Sequence, residues 1–139
     1  MNETERSQVQ EILEGRRAAI ARAWFEKLDA LSSINLDKRE WEPRLEAFTD
    51  ELIAILTAES FDPAKAQEVG VALEDVDNLQ PEQIIEMQTA LGEAFSEEMP
   101  AAVMPWLQPR LVAVLSAFLA GFFTGKAERA KRFNMDAMS

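Results

Sequence analysis

The sequence predicts an all-α fold of one domain, and three observations predict it. No run of residues alternates apolar and polar with the period of two that a half-buried strand needs; apolar residues recur instead at spacings of three, four and seven. Glycine is scarce, with 5 in 139 residues, and turn-forming residues gather in short clusters: SSINLD, SFDP, DNLQPE and MPAAVMPWLQP. The length suits one domain, and 47% hydrophobic with 28% charged residues gives enough apolar surface for a core. No internal repeat or dividing linker interrupts residues 1–139.

Five to six helices follow in order. The first is predicted over about 5–31, with Val9, Leu13, Ile20, Trp24, Leu28 and Leu31 on one face. Asp37 is the predicted N-cap of a second helix over about 38–59, whose inner face is Trp41, Leu45, Phe48, Leu52 and Leu56 with Ile53 and Ile55 beside it. Asp62 then Pro63 supplies a capping acceptor followed by a ring that needs no N–H partner. A third helix is therefore predicted over about 63–76, carrying Ala66, Val69, Gly70 and Leu73. Pro81 and Glu82 open a fourth over about 81–98, with Ile84, Ile85, Gln88, Leu91 and Phe95 inward. The prolines from Pro100 to Pro109 predict a corner with one short helical turn at 103–107, then a last helix from Pro109 to about Phe133.

The charge excludes several partners. Twenty-five acidic against 14 basic residues give a formal net charge of -11, which phosphates of nucleic acid and anionic lipid headgroups would repel. The chain has no Cys, so disulfides, thiol nucleophiles and thiolate metal sites are excluded, in keeping with a reducing, cytoplasmic location. Residues 1–17 are charged throughout and contain no apolar signal core.

One stretch, LVAVLSAFLAGFF at 111–123, carries no charge. Thirteen helical residues rise about 20 Å, short of a bilayer core of about 30 Å, so a buried helix without membrane insertion is expected. Leu111, Leu115, Phe118 and Phe122 form one apolar stripe, expected to pack on the first and fourth helices. Val112, Leu119 and Phe123 form a second, with Val114 beside it, and this outer stripe is the predicted homodimer interface. Ala113, Ser116, Ala117, Ala120 and Gly121 are small enough for close helix approach. Residues 124–139 turn polar and basic, a helical extension projecting into solvent.

Motifs for chemistry are weak. Glu74, Asp75 and Asp77, Glu97 and Glu98, and Asp50 and Glu51 are carboxylate groups that read first as solvated helix faces. LEDVDN lacks the ligand spacing and glycine of a calcium loop, a His-based triad is impossible without His, and LAGFFTGK falls within a predicted helix rather than a phosphate-binding loop. No catalytic or metal site is predicted. Arg17 falls inside an apolar stripe, where it either meets an acidic ligand head group or pairs with a surface acid, the second being favoured. Gln88, between Ile84 and Leu91, either bonds a neighbouring helix or points into a cavity, the first being favoured. Trp24, Trp41 and Trp106 read as core anchors.

The order of motifs adds a resemblance. ILEGRRAAIARAWFEKL (12–28), LIAILTAESFDPAKAQEVGVAL (52–73), LQPEQIIEMQTALGEAF (79–95) and LQPRLVAVLSAFLAGFFTGKAERA (107–130) together cover most of the chain. This order resembles the helical N-terminal sensory domains of bacterial signalling proteins such as sensor histidine kinases and diguanylate cyclases. It is similar, more distantly, to the haem-less globin-like domains of stressosome co-antagonist and sporulation-inhibitory sensor proteins. The resemblance implies a globin-like domain that dimerises through its terminal helices and signals to a C-terminal output domain or partner. It also implies a possible fatty-acid-like ligand in the space a globin gives to haem. Haem itself is not expected, because the chain has no His, Cys or Tyr to serve as axial ligand and retains only methionines such as Met87, Met99 and Met104.

Two functions are expected ahead of a third. The first is a non-catalytic dimeric sensor with an apolar internal pocket lined by Trp24, Phe48, Leu52, Gln88, Leu91 and Phe118, with Arg17 near a head group. The second is a ligand-free dimerisation or protein-interaction module. The third is a small enzyme using Glu97 or Asp77.

Overall fold

A computed structural model describes residues 3–30, 37–76 and 80–138. The fold is all-α, with five helices among the described residues: α1 (Glu3–Ala30), α2 (Lys38–Leu56), α3 (Ala66–Val76), α4 (Pro81–Glu98) and α5 (Met104–Met138). A 3-10 turn, Pro63–Lys65, leads into α3. No strand occurs among the described residues. Leu31, expected on the first helix, lies outside them.

Helix starts follow local chemistry. The Asp37 carboxylate accepts from the Arg39 N–H at 3.0 Å, and the Asp62 carboxylate accepts from Ala64 N–H at 3.1 Å. At α4 the Gln83 side chain reaches back to accept from the Gln80 N–H at 2.7 Å, and Pro81 follows in the first turn. The first turn of the predicted third helix is 3-10 rather than α, a common form of helix entry.

Two corrections concern α2 and α5. The second helix stops at Leu56, not near residue 59, and its end is held from elsewhere in the chain. Arg6 donates to Thr57 O at 2.7 Å, and Arg110 donates to Leu56 O at 2.9 Å and Ala58 O at 3.4 Å. Two guanidinium groups thus face the carbonyl end of a helix that has no basic residue in its own last turn. The corner expected from Pro100 to Pro109 is confined to 99–103, because α5 runs unbroken from Met104. Pro105 sits in the first turn, where no N–H partner is required, and Pro109 forfeits one bond near the helix start while Leu107 and Leu111 stay buried on either side of it.

Arg110 is also sandwiched between rings, with its guanidinium 4.5 Å from the Trp106 centroid and 4.7 Å from that of Phe61. Burial pushes its pKa below the usual arginine value, and the nearby Arg6 charge adds to the effect. Arg110→Met is expected to destabilise the protein by about 1–3 kcal/mol, since it keeps the stem but strands two carbonyls. A urea midpoint equal to that of the wild type would show that water caps α2 equally well.

The core is one cluster to which every helix contributes, including Leu13, Trp24, Leu45, Leu52, Leu73, Leu91, Phe95, Phe118 and Phe122. α1 lies between α2 and α4, while α5 lies chiefly against α3 and then against α4 and α2. The expected packing of α5 on the first helix is therefore replaced by packing on α3, and the cause is a pair of glycines. A Cβ on Gly70 would overlap the Phe118 carbonyl oxygen and come within 2.7 Å of the Phe122 amide nitrogen. One on Gly121 would overlap the Gln67 carbonyl. At this crossing backbone touches backbone.

The α5 stripes differ from the expected ones by one position. Leu111, Val114, Phe118 and Phe122 are buried, so Val114 is a core residue, and Leu115 is only half-buried. Val112 and Phe123 face outward at 54% and 39% exposure, while Leu119 is half-buried against the core. Buried hydroxyls are satisfied locally: Thr49 donates to Leu45 O and Thr57 to Ile53 O, each at 2.7 Å.

Candidate functional site

Five of the seven residues expected at an internal pocket sit in the core. Trp24, Leu91 and Phe118 have no exposed surface, and Leu52 and Phe48 retain 1% and 8%. The Trp24 indole N–H donates to the Met87 carbonyl at 3.0 Å, tying α1 to α4. Arg17 is at the surface, where Nη1 donates to Asp50 at 3.2 Å and Nε lies 3.9 Å from Glu46. Gln88 is half-buried and donates to the Leu115 carbonyl of α5 at 3.2 Å.

Of these residues, Gln88 lines an open groove. A groove of about 410 Å³ opens between α4 and α5, with Gln88, Gly92, Ser96, Leu111, Val112 and Leu115 among its walls. Gly92 sets its floor, since a Cβ there would lie 3.3 Å from Leu115 Cδ1. A second groove of about 350 Å³ runs along the other side of α4, between Ile85, Ala90, Lys27 and Ala30. Thr89 and Glu93 border both, so the outer edge of α4 is a ridge between two troughs. A third space, about 130 Å³, lies at the end of α2 near Ala58 and Asp62.

Apolar side chains accompany the two large grooves. Ile85 is 48% exposed, and Val112 and Phe123 stand on the outer face of α5. The acidic rim is partly neutralised: Lys27 donates to Glu97 at 2.6 Å and lies 3.7 Å from Glu93. The Glu97 hydrogen bond raises the Lys27 pKa, so on the alkaline side the ammonium is kept past the ordinary lysine range before the pairing is lost.

Asp50 pairs with Arg17, and Glu98 lies 3.7 Å from Arg16. Among the described residues no group of three or more acidic side chains is arranged to hold a metal ion. The side chains of Glu74 and Asp75, and all of Asp77, lie outside the described residues.

By length and composition, Met104–Lys131 is sufficient to cross a membrane, and a third of its apolar window is buried within the protein. That buried face contains the glycine crossing with α3 and the Arg110 contacts to α2.

The periodicity of α5 made Val112 and Phe123 legible as outer residues. The groove was not legible, because it depends on how far apart α4 and α5 stand. The chain matches no known family model, no curated protein and no solved structure.

Proposed function

We propose that this chain is a non-catalytic, dimeric interaction module of bacterial signalling type, with the α4–α5 face as its working surface. The observation that supports this reading is that exposed Ile85 and Val112 line two adjoining grooves, with exposed Phe123 further along the outer face of α5. Single apolar residues on a surface are ordinary, but exposed apolar side chains set in adjoining grooves mark a place of contact. The filled positions of Trp24, Leu91 and Phe118 favour a module that works by pairing.

A globin-like sensor for a fatty-acid-like molecule is the second reading. Gln88 favours it, as a half-buried amide on the wall of an open groove. In either case a change of state passes along α5 toward residues 124–138 and an output partner. The acidic, cysteine-free composition favours cytoplasm and disfavours nucleic acid. The wedging of α5 against α3 favours a helix held in protein rather than lipid.

Sedimentation equilibrium tests the pairing. The wild type is expected to be a dimer, and Val112→Glu a folded monomer, because a carboxylate would be placed in the contact. A wild-type monomer, or a Val112→Glu dimer of unchanged affinity, removes this face as the interface. Native mass spectrometry of the same samples separates the two readings: added mass of a few hundred daltons favours the sensor.

A further inference from the structure

We infer that the α4–α5 groove receives the α5 helix of a second copy running antiparallel, with each Phe123 seated beside the other copy's Val112. This rests on the dimeric reading above and specifies its geometry.

The first reason is the spacing of knob and hole. Phe123 is a large exposed ring, and Val112 and Leu115 line the groove. Phe123 and Val112 are eleven residues apart, about 16 Å along a helix and nearly on one face. Two antiparallel copies centred between residues 117 and 118 place each ring on the other's groove. Two parallel copies place ring on ring and groove on groove. Between these contacts, exposed Ser116 and Ala120 are small enough for the helices to approach closely.

Charge gives the second reason. Four of the 14 basic residues, Lys126, Arg129, Lys131 and Arg132, fall within seven positions of this acidic chain. The groove rim carries Glu93 and Glu97 against a single Lys27. Lys126 follows Gln108 by eighteen residues, which is five helical turns, so both stand on the side of α5 that borders α4. Antiparallel pairing carries Lys126 to the level of the partner's Gln108 and its acidic rim. Parallel pairing lays the basic segment against its own copy, which like charges oppose. In the antiparallel dimer the two 124–138 segments point in opposite directions.

The absence of native cysteine makes the test simple. Val112→Cys and Phe123→Cys are made separately in the full chain, one with a removable size tag, and both are checked for dimer by sedimentation. Each is then oxidised alone and in an equal mixture. The expected result is at least tenfold more disulfide-linked dimer in the mixture than in either variant alone, all of it mixed. Cross-linking of each variant with itself overturns the antiparallel register and leaves the dimer standing. A dimer that forms no cross-link in any sample overturns it too, since pairing then uses another face. A wild-type monomer removes the dimeric reading and this inference with it.

Discussion

Gly121→Ala is expected to lower stability by about 3 kcal/mol or more, which for a chain of this size moves the thermal midpoint by roughly 10 °C. An added methyl normally favours a helix by about 0.5–1 kcal/mol, so the sign of the effect is diagnostic. At Gly121 the methyl would meet the Gln67 carbonyl, which is backbone and cannot rotate away. The axes of α3 and α5 must then separate, loosening Val69, Leu73, Phe118 and Phe122 together. Gly70→Ala should behave alike, because its Cβ would overlap the Phe118 carbonyl. Gly15→Ala is the control, since nothing lies within 4 Å of its Cβ, and it is expected to stabilise by about 0.5–1 kcal/mol. Urea melts of the three variants measure this. Equal gains at all three positions would mean that α3 and α5 do not touch.

Trp24→Ala is expected to cost about 3–5 kcal/mol, from lost burial and the cavity left behind. The ring has no exposed surface and its N–H holds the Met87 carbonyl. Trp24→Phe keeps most of the volume and loses the hydrogen bond, so a smaller loss, about 1–2 kcal/mol, is expected. The pair of variants also bears on function. A loss below 1 kcal/mol for Trp24→Ala would reveal slack around the ring, and the reading with an internal ligand would then gain over the filled core.

The starts of α2 and α4 and the turn into α3 were legible because their causes are local. Asp37, Asp62 with Pro63, and Pro81 each act on backbone within three residues. The end of α2 was not, because Arg6 and Arg110 reach it from 51 and 54 residues away. Proline misled at α5, which continues past Pro109 with Leu107 and Leu111 buried on either side of it. Val114 and Leu115 differ by one helical step, about 100°, and both are apolar, so periodicity alone cannot choose which faces inward. Gly121 stood out as a small residue, but its partner Gly70 is on another helix, and only the assembled structure pairs them. Of the groove residues, periodicity gave Val112 as outward; Ile85, expected inward, is 48% exposed, and the concavity comes from the fold.

The two arginines on α2 have a consequence for timing. A ribosome delivers about 5–20 residues per second from the N-terminus, so Arg110 emerges seconds after the helix it must close. α3 likewise emerges before the backbone that Gly70 is shaped to meet. In that interval α1 and α2 can gather, but α2 ends in water and one side of α3 lies bare. Contacts that span fifty residues form slowly and reward the chain late. The longest helix is therefore also the last cue, and the nascent protein holds an unfinished surface until it arrives.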